Sequence, residues 1–133
     1  MSEEYTFEET SKFIDAPIGK LHYHEAGEGP ALILIHGSGP GVTGWANFKG
    51  NLGLFSRHFR TLILDLPGYG GSPDIEGNPI VNAVQAVISF MDALGIERTN
   101  ILGNSLGGIV GSSVAAAVPD RIIRLTTIGG MGV

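Results

Sequence analysis

Cysteine is absent from the 133 residues. Disulfides, thiolate nucleophiles and cysteine-ligated zinc are therefore excluded, and a reducing compartment is compatible with the composition. Charge is sparse, with Asp, Glu, Lys and Arg together 16% of the chain and a net charge of −5. Such a balance leaves no basic footprint for nucleic acid and no polybasic patch for an anionic membrane. No apolar run approaches the ~20 residues that span a bilayer. Residues 1–20 lack a basic segment followed by an apolar one, so no signal peptide is read and the expected location is cytoplasmic. Internal repeats and low-complexity linkers are missing too, and residues 1–133 are read as a single domain.

Apolar residues are plentiful, at 43% of the chain, which marks a core-rich globular protein. The 21 glycines follow no period and cluster where turns are expected. Acids crowd into Glu3, Glu4, Glu8 and Glu9, read as a solvated surface strand or tail.

Two kinds of segment alternate along the chain. Leu21–Glu25 alternates in the way of a half-buried strand, with His22 and His24 on one partly exposed face. Ala31–Ile35, Thr61–Leu64 and Asn100–Leu102 are short branched runs that suit strands covered on both faces, and Ile122–Ile128 is a further strand. Gly44–Phe55 carries Trp45, Phe48, Leu52 and Phe55 at helical spacing. Val81–Leu94 puts Val84, Val87, Ile88, Met91 and Leu94 on one stripe and stops at Gly95. Ser105–Val118 is small and apolar throughout and stops before Pro119, the pattern of a buried helix. The order β, β, then βαβαβαβ implies an α/β fold with a mostly parallel sheet, right-handed crossovers and helices on both faces.

Gly103-Asn104-Ser105-Leu106-Gly107 is a G-x-S-x-G match between a strand and a helix, the context that motif requires. A sharp turn there holds a serine clear of the sheet, at a helix N-terminus that favours developing negative charge. The bland alternative is that Ser105 merely caps the helix. Upstream, the stretch from Ile35 to Asn47 reads IHGSGPGVTGWAN and directly follows the first covered strand. Two converging backbone N–H groups are needed to hold an oxyanion, and this motif draws one from the residue after the serine, Leu106, and one from the upstream loop, at Ser38. Gly37, Gly39 and Gly41 free that loop to turn its amides inward.

Gly39 to Gly44 is also formally G-x-G-x-x-G, with Asp65 about 20 residues on, which resembles a dinucleotide fingerprint. Against it, the strand ends at Ile35, Pro40 removes an amide donor, and Gly103–Gly107 is left unexplained. Asp65, in Asp65-Leu66-Pro67-Gly68, is read as anchoring a tight turn rather than as a catalytic acid.

These segments, in this order, resemble the α/β-hydrolase superfamily, and within it the meta-cleavage-product hydrolases, which break carbon–carbon bonds in ring-opened aromatic catabolites. The resemblance rests on H-G-S-G-P-G followed by G-W-A-N and on asparagine directly before the serine. It implies Ser105 as nucleophile, Leu106 and Ser38 as oxyanion amides, and Asn47 and Asn104, with Gly37 and Gly39, as substrate-binding. It implies a small-molecule substrate and neither cofactor nor metal. His36 resembles a structural residue of the loop, and Asp65 a turn residue.

The family's triad runs Ser, then Asp or Glu, then His. After Ser105 this sequence holds one acid, Asp120, in a turn expected far from the serine, and no histidine; His22, His24, His36 and His58 all precede it. His22 and His24 form an H-x-H pair with no third metal ligand in view, and His58 is read as lying in a solvated turn. The expectation is thus an N-terminal half, truncated before the lid and the last strands, inactive alone, and self-associating through the exposed edge near Ile122–Ile128 or the face beside it. An esterase-type fragment and a non-catalytic binding or assembly protein are the alternatives.

Overall fold

A computed structural model describes residues 4–129. Thr6 caps a single helical turn, α1 (Phe7–Thr10), which leads into the antiparallel pair β1 (Ser11–Ala16) and β2 (Gly19–Ala26). Then follow β3 (Ala31–Ile35), α2 (Gly44–Phe55), β4 (Arg60–Leu64), α3 (Pro79–Leu94), β5 (Thr99–Asn104), α4 (Leu106–Ala117), a 3₁₀ turn (Pro119–Arg121) and β6 (Ile122–Ile128). The six strands form one sheet in the order β1-β2-β4-β3-β5-β6, antiparallel through β2 and parallel from β4 to β6.

Strand periodicity sorts the core. Ile33, Ile35, Leu62 and Leu64 face α3 and α4, while Leu32, Leu34 and Ile63 face α2. All of β3 is buried, as its unbroken apolar run requires of a strand covered on both sides. The α2 layer packs mainly on β2, β3 and β4 and meets β5 at Asn104, and Asn100, Leu102 and Asn104 of β5 stay half-exposed.

Five expectations need correction. Leu21–Glu25 is not half-buried: His22 and His24 are 2% and 0% exposed, because α1 and Trp45 cover the face they share. The acidic start is partly helical; Glu8 and Glu9 lie in α1, exposed, and Glu3 lies outside the described residues. The buried stripe of α3 runs through Ala83, Ala86, Val87, Phe90 and Met91, leaving Val84, Ile88 and Leu94 only partly covered. Ala83 and Ala86 lie in the core cluster with the sheet residues, and the Phe90 ring meets Tyr23 edge-on at 4.9 Å between centroids. Finally, α4 buries one face only, with Ser112, Ala116 and Ala117 exposed. The α3 helix also begins earlier than Val81, because Asn78 caps it by accepting from Ile80 and Val81 N–H and Pro79 suits its first turn.

Candidate active site

The turn from β5 into α4 places Ser105 at φ 56° and ψ −114°, the one non-glycine residue with positive φ among the described residues. Such backbone costs about 1–3 kcal/mol and persists only where its surroundings hold it. Three contacts do so. Ser105 N–H donates to Ile128 O of β6 at 2.8 Å, and Ser105 O accepts from Gly108 N–H at 2.9 Å. Glycine at 103 and 107 supplies the third: a Cβ on Gly103 would strike Gly107 O, and one on Gly107 would strike Ile35 O. The Ser105 side chain does not cap α4, so helix capping does not explain the residue. Leu106, the first residue of α4, packs its side chain against the larger core cluster.

The loop after β3 comes down beside this turn. A Cβ on Gly37 would lie 3.5 Å from Ser105 Cβ. Asn47, on the first turns of α2, joins the two segments: its Oδ1 accepts from Gly37 N–H at 3.2 Å and from Asn104 Nδ2 at 3.0 Å. Thr43 starts α2 by accepting from Ala46 N–H at 3.0 Å, and so fixes where Asn47 stands. A cavity of about 330 Å³ opens over this cluster, lined by Gly37, Ser38, Gly41, Asn47, Asn104 and Ser105 among others. A larger cavity, about 520 Å³, lies between Tyr5 and α2 and includes none of these residues. Gly39 bends the loop from behind, with φ 129° and its carbonyl accepting from Val42 N–H at 3.2 Å.

His36 is buried under the loop. Its Nδ1 donates to Gly37 O at 2.6 Å, and its Nε2 accepts from Leu66 N–H at 3.0 Å. A carbonyl only accepts and an amide N–H only donates, so these partners select the neutral Nδ1–H ring. Burial lowers its pKa, against opposing contributions from the Gly37 hydrogen bond and the Asp65 charge. No peptide among the described residues is cis, so holding Gly37 O towards His36 turns the Ser38 N–H to the opposite side.

Asp65, buried just beyond β4, does more than anchor a turn. Oδ1 accepts from Gly44 N–H at 2.8 Å, and Oδ2 from Gly71 N–H at 3.0 Å and His22 Nδ1 at 2.7 Å. Its carboxylate thus fills the N-terminus of α2, where a dinucleotide fingerprint would need a free site for pyrophosphate. The pattern Gly39–Gly44 is a loop and helix start, and the nucleotide reading fails on that contact. Sequence spacing paired His22 with His24 and read Asp65 apart from them; the meeting of His22 with Asp65 depends on the antiparallel pairing of β2 with β4, which no local pattern encodes. His58 lies in an exposed turn as expected, and Asp120 in the 3₁₀ turn that precedes β6.

The sequence matches the family model described as alpha/beta hydrolase fold over residues 30–132. It is 41% identical over 138 aligned residues, 97% of this chain and 48% of the relative, to a 2-hydroxy-6-oxo-6-phenylhexa-2,4-dienoate hydrolase of Comamonas testosteroni. A 2-hydroxy-6-oxononadienedioate/2-hydroxy-6-oxononatrienedioate hydrolase of Burkholderia vietnamiensis is 37% identical, covering 95% of this chain and 46% of the relative. Among solved structures, a variant of the meta-cleavage product hydrolase from Pseudomonas fluorescens IP01, complexed with acetates, superposes with a TM-score of 0.88 at 35% identity, over 94% of this chain and 47% of that one. The chain spans about half the length of the curated relatives it matches. The match covers the sheet from β3 onward together with the strained serine turn, and on that ground the chain belongs to the α/β-hydrolase fold family.

Proposed function

We propose that this chain is the serine-bearing half of a hydrolase that cleaves carbon–carbon bonds in ring-opened aromatic catabolites. The observation that carries the reading is the Gly37–Asn47–Asn104 hydrogen-bonded link, which ties the glycine loop to the strained Ser105 turn around one cavity. Ser105 is the nucleophile. The amides of Leu106 and Ser38 receive the oxyanion, the first helped by the N-terminus of α4 and the second oriented through the His36 clamp on Gly37 O. Asn47 and Asn104 hold the dienol and carboxylate end of the substrate, with Gly37 giving close backbone approach and Gly39 shaping the loop behind it. A simple esterase needs no such paired asparagines.

Both ring nitrogens of His36 are engaged, so it is no base for Ser105. The chain alone is inactive in turnover for want of the acid and histidine of a triad; residual catalysis without them is on the order of 10³–10⁴ over water, far below an intact enzyme. Its partner is a small molecule, its location the cytoplasm, and residues 1–133 one domain. The test is binding of a 2-hydroxy-6-oxo-dienoate, followed by the dienol absorbance band. The band shifts with the native chain and with Ser105→Ala, and the shift falls at least about 10-fold in affinity with Asn47→Ala or Asn104→Ala, the size of one lost hydrogen bond. An unperturbed band with the native chain overturns the reading.

A further inference from the structure

Beside the N-terminus of α2 lies a serine–histidine–aspartate relay that does not include Ser105. Ser11 Oγ is 2.6 Å from His22 Nε2, and His22 Nδ1 is 2.7 Å from Asp65 Oδ2. Asp65 also accepts from two backbone N–H groups, so the imidazole donates to it through Nδ1. In the neutral ring Nε2 is then left to accept the Ser11 hydroxyl proton. A nucleophile within hydrogen-bond reach of a base, and the base oriented by a third group, is the arrangement that activates a hydroxyl. His22 is held from several sides: its backbone N–H donates to Ser72 Oγ at 2.9 Å, and Phe7 and Phe13 lie against its ring at 5.7 and 4.8 Å between centroids. Ser11 itself is half-buried, where a reagent reaches it. Phe7 and Phe13 are 40% and 56% exposed, two aromatic rings flanking the relay that no core requires outside.

We propose that Ser11 is a second nucleophilic serine, which accepts acyl groups from aryl esters lodged against Phe7 and Phe13. Ser11 Oγ attacks the ester carbonyl carbon while its proton passes to His22 Nε2. The tetrahedral adduct collapses by breaking the bond to the aryl oxygen. The aryloxide leaves and takes up the His22 proton, giving acyl-serine and a phenol. Acylation is stoichiometric, one acyl group per Ser11 hydroxyl.

The experiment incubates the full chain carrying Ser105→Ala with 4-nitrophenyl acetate and maps the acetyl group by peptide mass spectrometry. One acetyl per chain is expected on Ser11, formed at least about 100-fold faster than on the exposed Ser112, the lower end of what a positioned base contributes. It disappears in Ser105→Ala/Ser11→Ala. Ser105→Ala/Ser11→Cys, with the chain's sole thiol beside His22, reacts faster than a free thiol of the same pKa. His22→Gln, if folded by circular dichroism, loses the Ser11 rate advantage; if it does not fold, the Ser112 and Ser11→Cys comparisons decide. Acetylation confined to Lys12 and Lys20, or Ser11 no faster than Ser112, overturns the proposal.

Discussion

His24 shows how much one buried ring costs in acid. It has no exposed surface, lies edge-on to Phe7, packs on Trp45, and hydrogen-bonds Thr10 Oγ1 through Nδ1 at 2.8 Å. Thr10 Oγ1 in turn donates to Thr6 O, so the ring is the donor to Thr10 and Nε2 is left without a partner. Burial, followed by the nearby His22, pushes the His24 pKa down from 6.5 to about 4, with Asp65 acting the other way. In the unfolded chain the ring takes up its proton first. The stabilisation is therefore complete above pH 6.5 and is lost as pH falls towards 4; its full size is about 3 kcal/mol. Urea unfolding at a series of pH values checks this: stability declines across that window, and His24→Leu flattens the decline, leaving the smaller contribution of His36 with the same sign.

At the scale of elements, glycines serve two different purposes, and substitution separates them. Gly95 ends α3 in the left-handed region, φ 68°, with nothing near the position a Cβ would take. Gly95→Ala thus meets only the backbone preference, a loss of about 1 kcal/mol. Gly107 has an ordinary φ, but its Cβ would run into the Ile35 and His36 carbonyls, backbone at the end of the central strand β3 and just beyond it that cannot readily give way. Gly107→Ala accordingly costs more than about 3 kcal/mol and drives α4 off the sheet. Thermal unfolding followed by circular dichroism distinguishes the two, and equal effects would show that the close packing of α4 on β3 is not what holds the Ser105 turn.

Among the described residues, the two outer strands of the sheet differ in what covers them. At the β1 edge, Lys20 lies over Phe13 and puts a charge beside the outer strand, which discourages further pairing. At the β6 edge, Ile123 and Ile128 are exposed, and Asn100, Leu102 and Asn104 of the neighbouring β5 are only half-covered. Self-association through this edge is the expected consequence. Light scattering with size exclusion should show a dimer or larger species that weakens with Ile123→Lys and Ile128→Lys; a monomer at every concentration counts against it.

Local pattern alone was enough for the parallel layers and the serine turn. The run Ala31–Ile35 and the spacing Gly103-Asn104-Ser105-Leu106-Gly107 each impose a demand that only one geometry meets: burial on both faces in the first, and a tight strand-to-helix turn in the second. Glycine spacing likewise marked the loop that reaches Ser105. Only the tertiary structure decided the fate of His22, His24 and Asp65. Alternation in Leu21–Glu25 reports which side chains share a face, not what covers that face, and the cover is α1 and Trp45, elements distant in sequence or too short to carry a period. Asp65 meets His22 because an antiparallel strand lies beside a parallel one, a long-range pairing whose physical origin is sheet assembly rather than any neighbour along the chain.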